Sequence, residues 1–316
     1  MQIERFLPYY PYHEQIIFYL SGDKNFDVQA PMNLRFFGLL FQYALFKFVP
    51  CLELTRIDIT IPYPEYTCAV YSSALMNYIS LCGVMALTFS YSYKKLRLPL
   101  AESILAMFFC YVFIEHVEAF TLDRVSILYL SIIIYFLDNK KISIFLILLA
   151  STANEKVVFA ITILFFVNLV IRKQEHYKVH FICSIISCFL VLSIFIIYSK
   201  FLGYGYWGEN SPGGFYNTFL TDGYIRMLGM FQSPSGYSNG FIPLFFCIVP
   251  YLISIFLKIK KKFFSNYELL IPLGLSLFAT GGGTEQIGRY AMYAIPLFAP
   301  VFSYVLLYII KGFKIN

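Results

Sequence analysis

Carboxylates and basic side chains that could carry out acid–base or anion-binding chemistry gather in four short stretches of an otherwise apolar chain. The first stretch contains an imidazole, three carboxylates and a guanidinium: His13, Glu14, Asp23, Asp27 and Arg35. A carboxylate can act as a general base, and a guanidinium is a good ligand for phosphate. The alternative is a solvated tail without chemistry, which holds if the apolar run beginning at residue 34 is the first segment to cross a membrane.

The second stretch, IEHVEAFTLDR, lies between two apolar runs. It contains Glu115, His116, Glu118, Asp123 and Arg124, and Glu115 and Glu118 would share one face of a helix. A single histidine beside them is more typical of an interfacial residue than of a metal ligand. Because the sequence contains neither an HExxH nor a CxxC motif, a metal-dependent hydrolase is not predicted.

The third and fourth stretches combine ionisable residues with small ones. In STANEK, Glu155 and Lys156 lie between two short apolar runs, where charged groups are costly and often functional. A pair that only neutralises itself is an equal alternative. In TGGGTEQIGR, the glycines allow close approach of the backbone to a ligand, and Glu285 and Arg289 follow. Arg289 is either a phosphate ligand or an interfacial anchor. GGGT lacks the spacing of a nucleotide-binding P-loop.

The composition that surrounds these stretches is typical of a polytopic membrane protein. Apolar residues make up 59% of the 316 residues, charged residues only 13%, and the mean hydropathy is +0.68. Soluble domains are about half apolar and a quarter charged. We therefore predict an all-α transmembrane bundle of about 8–10 membrane helices with loops on the outer face. The apolar runs lie at about 34–50, 66–93, 99–115, 125–137, 142–152, 156–171, 179–198, 241–257, 268–281 and 289–310.

Basic residues fall in clusters between alternate apolar runs, which marks these connections as cytoplasmic under the positive-inside rule. This distribution explains the net charge of +6 without nucleic-acid binding. The clusters are Lys94, Lys95 and Arg97; Lys140 and Lys141; Arg172, Lys173 and Lys178; Lys258 and Lys260 to Lys262; and Lys311 and Lys314. The outward connections are then about 51–65, 116–124, 151–155, 199–240 and 281–288. We predict two parts, an outer carboxylate segment 1–33 and a transmembrane helical domain 34–316.

The outward connection 199–240 is long, rich in Gly, Ser, Tyr and Asn, and contains the only tryptophan, Trp207. Loops of this length are usually functional or disordered. Aromatic faces beside amide and hydroxyl groups suit sugar rings, and an aromatic belt at the membrane interface is the alternative.

The order of these motifs resembles that of bacterial GT-C glycosyltransferases over most of the chain. APMNLRFFG, residues 30–38, resembles the end of the family's first outer loop. TLDRVSILYLSIIIYFLDNKKISIFLILLASTANEKVVF resembles its middle section, in which an Asp opens an apolar helix and a later short helix ends in an [RK]-E-T-like element. Here that element is Asn154–Glu155–Lys156, without the usual basic residue before the Glu. GRYAMYAIPLFAP resembles the final helix, which begins with Gly-Arg.

The resemblance implies an inverting transfer of a sugar from a polyprenyl-phosphate donor to a surface glycan or lipid, on the outer face of a bacterial inner membrane. It implies that Glu14 is the general base, with Asp27 and Asp23 behind it, and that Arg289 binds the donor phosphate. Lys156 and Arg35 would support Arg289. Other residues would shape the cavity: Asp123, Glu155, Glu115, Glu118, Glu285 and Trp207. No cofactor is required, although some relatives with pyrophosphate donors use a divalent metal.

Members of the family normally carry a transmembrane helix ahead of the carboxylate loop, and none precedes it here. The resemblance therefore predicts either a lost first helix or a segment 1–33 held outside by residues 34–50 lying along the interface. Two other functions stay open. One is a transporter or flippase for a lipid-linked saccharide. The other is an O-antigen polymerase, which would favour arginines in two outer loops, whereas the long loop contains only Arg226.

Overall fold

The computed structural model describes residues 36–48, 64–116, 121–202, 241–257, 270–274 and 291–313, and every structural statement below concerns these residues. Of them, 92% are helical and none is in a strand. The all-α prediction is therefore confirmed. The helices are α1 (Phe36–Phe48), α2 (Pro64–Ser90), α3 (Leu100–His116), α4 (Thr121–Tyr135), α5 (Lys140–Ala153), α6 (Glu155–Phe166), α7 (Lys178–Leu202), α8 (Ile242–Phe256) and α9 (Ile295–Phe313).

The centre of the bundle is formed by α4 and α6. Helix α4 packs against α1, α2, α5, α6 and α9, and α6 packs against α5 and α7. Because both central helices are surrounded, they are apolar on nearly every face. Their buried side chains include Leu130 and Ile133 of α4 and Ile161 and Phe165 of α6. Helices α2, α3 and α9 form one side of the bundle, and α5 and α7 pack on the other.

Helices α2 and α6 end in the same way. Each widens into one π-helical turn, Tyr91–Lys95 after α2 and Val167–Ile171 after α6. In each case a basic residue with positive φ follows within two residues, Arg97 at 55° and Lys173 at 56°. A side chain in this left-handed region costs about 1 kcal/mol or more relative to glycine.

Three polar contacts hold basic segments together at one end of the bundle. Lys95 at the end of α2 forms an ion pair with Asp138 in the turn before α5. Ser143 Oγ of α5 lies 2.8 Å from His180 Nε2 of α7. Lys311 Nζ of α9 lies 3.2 Å from Glu102 Oε1 of α3. We call this surface the basic end. Its exposed basic residues are Lys94, Lys95, Arg97, Lys140, Lys141, Arg172, Lys173, Lys178 and Lys311.

The structure agrees with the positions of the predicted apolar runs and corrects some boundaries. Each run that falls within the described residues is helical, and of the run 268–281 only 270–274 is described. Helix α4 begins at Thr121, so the predicted connection 116–124 ends earlier. Helix α7 continues to Leu202, so the predicted loop 199–240 begins later. Apolar residues extend each helix past its polar ones. Leu122 precedes Asp123 and Arg124 in α4, and Phe201 and Leu202 follow Ser199 and Lys200 in α7.

Two helices of the described chain are long and apolar enough to cross a membrane, Glu175–Ile194 and Met292–Gly312. Two shorter apolar helices are Leu100–Ile114 and Leu244–Phe256. The sequence predicts about 8–10 membrane helices, and this larger number goes beyond what helix length and hydropathy establish here. The predicted segment 1–33 lies outside the described residues.

Close packing of α2 on α4 depends on Gly83, because a Cβ added there would lie 2.7 Å from Leu128 Cδ1. A methyl group could be accommodated by rotation of the Leu128 tip, whereas a larger side chain would push α2 away. We therefore expect Gly83→Leu to lower the free energy of unfolding by about 1–3 kcal/mol, measured by thermal unfolding in detergent.

The matched control is Gly312→Leu near the end of α9, where an added Cβ would meet nothing within 4 Å. This control should unfold within a degree or two of the unmodified protein, since exposed substitutions change stability by about 0.5 kcal/mol or less. Equal destabilisation by both substitutions would contradict the close approach of α2 and α4.

Candidate functional site

The candidate site forms where one residue, Asn154, separates α5 from α6. Its backbone is extended, with φ −172° and ψ 140°, which ends the first helix and begins the second. Its Oδ1 accepts a hydrogen bond from the backbone N–H of Lys156 at 3.0 Å, as an N-cap residue does. Its Nδ2 donates to Ser126 Oγ at 3.0 Å and to Tyr293 OH at 3.2 Å. The same side chain thus caps α6 and fastens it to two other segments.

A buried ion pair lies beside this break. Lys156 Nζ is 3.0 Å from Asp123 Oδ1, and the two side chains are only 6% and 2% exposed. The hydroxyl of Tyr293 donates to the same Asp123 oxygen at 2.6 Å. Lys156 Nζ also lies 5.5 Å from the centroid of the Tyr293 ring, within the range of a cation–π interaction. Asp123 therefore accepts from two donors that belong to distant parts of the chain.

The charges of the site are balanced. Arg124 follows Asp123 and Glu155 precedes Lys156, and both are buried. Asp123 and Glu155 each lie in the first turn of their helix, α4 and α6. The N–H groups of a first turn favour negative charge. The starts of α4 and α6 thus each carry one buried carboxylate and one buried basic residue. We call this group the polar cluster: Asp123, Arg124, Ser126, Asn154, Glu155, Lys156 and Tyr293.

The polar cluster provides a buried ion pair and an ordered chain of hydrogen bonds. Asn154 donates to Tyr293, Tyr293 donates to Asp123, and Lys156 donates to Asp123. Lys156 Nζ is held in place by its contact with Asp123. A preorganised donor of this kind can orient an anionic group that approaches the cluster.

The cluster has too few ligands of the usual kinds to form a metal site by itself. Within the described ranges, no three His, Cys, Asp or Glu side chains come together in a way that could hold a metal ion. Asp123 and Glu155 are its two carboxylates, and its other members are poor or cationic ligands.

The structure brings two of the predicted site residues into contact, Asp123 and Lys156. Glu155 precedes Lys156 in the first turn of α6 and is also buried. Glu115 lies in the last turn of α3, and its side chain is not described. The remaining predicted residues lie outside the described ranges: Glu14, Asp23, Asp27, Arg35, Glu118, Trp207, Glu285 and Arg289.

Sequence reasoning missed Tyr293 and the role of Asn154 as the centre of a hydrogen-bond network. Tyr293 lies in GRYAMYAIP, which the sequence singles out for Arg289, but it is one of 27 tyrosines. A tyrosine in an apolar run has no distinguishing sequence signal. Asn154 has one, since an Asn followed by Glu and Lys between two apolar runs is a typical N-cap.

Comparison with protein-family models, curated proteins and solved structures gives no match for this chain.

The buried ion pair generates a stability prediction. We expect Asp123→Ala to lower the free energy of unfolding by about 3–5 kcal/mol, because it leaves the Lys156 ammonium buried without its carboxylate. The double substitution Asp123→Leu with Lys156→Met should recover most of this loss, since both charges are then absent. Thermal unfolding in detergent measures both effects.

The matched control is Lys95→Ala, which removes a Lys–Asp pair at the basic end with side chains 35% and 74% exposed. Exposed pairs contribute about 1 kcal/mol or less, so this variant should remain close to the unmodified protein. If Asp123→Ala lowers the free energy of unfolding no more than Lys95→Ala does, the proposed dependence of Lys156 and Asp123 on each other is wrong.

The hydroxyl of Tyr293 generates a second prediction. Tyr293→Phe keeps the ring but removes a donor to Asp123 and an acceptor from Asn154, so we expect a loss of about 1–3 kcal/mol in unfolding free energy. Tyr308→Phe in α9, the helix that begins two residues after Tyr293, is the control, because Tyr308 is exposed. If the two variants unfold alike, Tyr293 does not connect α9 to the cluster.

Proposed function

We propose that this protein is a multi-pass membrane glycosyltransferase of a bacterial inner membrane, which transfers a sugar from a polyprenyl-phosphate donor to a glycan or lipid on the outer face. The observation that carries the proposal is the polar cluster. Its members lie in or next to two predicted outward connections, 116–124 and 151–155, and near the start of the last apolar run, 289–310. A buried, charge-balanced group of this kind is costly in an apolar bundle, and this cost is typical of a functional site.

Placement in a membrane is supported by the outer surface of the bundle. Large apolar side chains are exposed along several helices, with Phe256 85%, Phe189 64% and Phe145 62% exposed. Exposed apolar surface of this extent is unfavourable in water and favourable in lipid. The basic end supports the orientation, with its lysines and arginines on the cytoplasmic side.

Helix lengths support a site below the outer surface of the membrane. Helix α5 starts at the basic end and has 14 residues, which corresponds to about 21 Å. The hydrocarbon layer is about 30 Å thick. Helix α7 starts at the same end and has 25 residues, about 37 Å. In a membrane the polar cluster would therefore lie in the outer part of the hydrocarbon layer, where the phosphate of a lipid-linked sugar could approach from the outer leaflet.

In the proposed reaction, Glu14 takes the proton of the acceptor hydroxyl, with Asp27 and Asp23 behind it. The acceptor oxygen attacks the anomeric carbon of the sugar and forms the new glycosidic bond with inversion. The bond from that carbon to the phosphate oxygen breaks, and polyprenyl phosphate leaves with the electron pair. Arg289, supported by Lys156 and Arg35, stabilises the negative charge of the leaving phosphate.

The described residues suggest how Lys156 would contribute. Asp123 and Tyr293 fix its ammonium at the start of α6, so its charge does not need to be ordered when the donor arrives. The group would act by the field of its charge. Glu155 and Asp123 would shape the cavity around the donor. No metal or other cofactor is needed for this mechanism.

A flippase or transporter for a lipid-linked saccharide is the second candidate function, and the buried ion pair of Lys156 with Asp123 favours it. Ionisable residues buried in a membrane bundle often mark a substrate pathway. The two functions differ in their product. A transferase forms a new glycosidic bond, whereas a flippase changes only the leaflet in which the sugar lipid is found.

The proposal generates an activity prediction for proteoliposomes that contain a radiolabelled polyprenyl-phosphate sugar and an acceptor lipid. We expect Glu14→Gln to lower the transfer rate by about 10²–10⁴-fold, because the general base is lost. Arg289→Ala should abolish measurable transfer, and Lys156→Gln should reduce it. Each variant is compared at equal amounts of folded protein.

Lys95→Ala is the control, since Lys95 lies at the opposite end of the bundle and should leave the transfer rate unchanged. Full turnover in both Glu14→Gln and Arg289→Ala would refute the site assignment. Movement of the labelled lipid between leaflets without a labelled product would refute the transferase and support the flippase.

A further inference from the structure

The basic end carries a large excess of positive charge. In the described segments that form it, nine basic side chains are exposed, against three acids. Two of the acids are already engaged, Asp138 with Lys95 and Glu102 with Lys311. The third is Glu175, at the start of a 3₁₀ turn. Basic side chains therefore outnumber acidic ones at this end by nine to three among the described residues.

The positive charge forms one continuous surface, although the sequence distributes it over several connections. The Lys95–Asp138 pair brings the end of α2 next to the start of α5, where Lys140 and Lys141 lie. The contact between Ser143 and His180 brings the start of α5 next to the start of α7. Charges that would repel one another are thus held side by side. Such a surface attracts an extended anionic partner.

Two of its basic residues lie where the backbone favours glycine. At the end of α2, the N–H of Leu96 bonds to Tyr91 O at 3.0 Å, and Arg97 follows with φ 55°. At the end of α6, the N–H of Arg172 bonds to Val167 O at 3.0 Å, and Lys173 follows with φ 56°. Glycine would adopt this conformation without strain. Since both positions carry a long basic side chain instead, a use for the charge is expected at both.

The surroundings of the basic end indicate what kind of partner would fit it. Exposed apolar side chains come within a few residues of the basic ones. Leu100 and Ile104 of α3 follow Arg97, and Phe166 of α6 and Val170 of the π-helical turn precede Arg172. Two exposed tyrosines lie at the same level, Tyr93 next to Lys94 and Tyr308 one turn before Lys311. Apolar side chains bordered by tyrosine and then by lysine and arginine match the order of acyl chain, interface and headgroup in a lipid leaflet.

We propose that the basic end is a binding surface for anionic phospholipid headgroups of the cytoplasmic leaflet, with Arg97 and Lys173 as two of its contact residues. Each guanidinium or ammonium pairs with a headgroup phosphate at the level of the tyrosines. This proposal rests on the membrane placement made under the proposed function and not on sugar transfer. Binding of this lipid stabilises the folded chain, because the basic residues at the end of α2 and at the starts of α5 and α7 then contact the same negatively charged lipid surface.

The test compares thermal unfolding of the full chain in vesicles of phosphatidylcholine alone and of phosphatidylcholine mixed with phosphatidylglycerol. The unmodified protein should unfold at a higher temperature in the mixture. The double variant Arg97→Gln with Lys173→Gln should lose roughly 4 °C of that difference. Arg97→Lys with Lys173→Arg should retain it, because the charges are kept.

A glycine pair separates the effect of charge from that of backbone strain. Arg97→Gly with Lys173→Gly should unfold at a temperature equal to or higher than the unmodified protein in phosphatidylcholine, since the strain is relieved. It should still lose the phosphatidylglycerol-dependent difference. Added salt should weaken this difference in the unmodified protein.

Three results would overturn the proposal: no difference between the two lipids for the unmodified protein, a full difference in the glutamine pair, or the same stabilisation by inorganic phosphate in phosphatidylcholine vesicles. The last result would indicate a site for free phosphate. Sugar transfer measured in phosphatidylcholine vesicles is an independent readout. If the protein transfers no sugar but still unfolds at a higher temperature in phosphatidylglycerol, the proposed function is refuted and the lipid-binding proposal stands.

Discussion

The ion pair between Lys156 and Asp123 is the interaction on which the arrangement of the bundle depends. Moving two charges out of water costs several kcal/mol for each ion, and only close pairing with further hydrogen bonds offsets this cost. This cost is offset only if α6 begins beside the first turn of α4, so that Lys156 reaches Asp123. Tyr293 must also lie next to Asp123 to donate its hydrogen bond. The geometry of these polar contacts thus specifies the relative positions of α4, α6 and the start of α9. Apolar packing alone would specify these positions less sharply.

The break at Asn154 follows from the same constraint. A continuous helix through α5 and α6 would extend away from α4 and would leave Lys156 far from Asp123. An extended residue reverses the direction of the chain, and its side chain satisfies the N–H of Lys156 that the reversal leaves without a helical partner. Because the same side chain also donates to Ser126 and Tyr293, the turn and the cluster stabilise each other.

The sequence predicted the helices well and the contacts within the site poorly. Apolar runs determine where helices form, and their positions can be counted along the chain. Whether the Glu155–Lys156 stretch was functional or self-neutralising could not be decided, because the partner of Lys156 is Asp123, which lies 33 residues away. This pairing exists only when α4 packs on α6. The contact of Tyr293 with Asp123 likewise exists only in the packed bundle. The positive φ angles at residues 97 and 173 could not be predicted either, because these positions are Arg and Lys and not the glycine that normally marks such a conformation.

The polar cluster and the basic end differ in how their charges are compensated, and burial explains the difference. In the polar cluster the buried Lys156 is paired with Asp123, since an unbalanced charge away from water would be too costly. At the basic end the side chains are exposed, so water screens their repulsion and an excess of positive charge is tolerated. An excess that is tolerated still favours an anionic partner. Among the described residues, the chain therefore combines a buried ion pair, Lys156 with Asp123, and an exposed basic surface that attracts a charged partner.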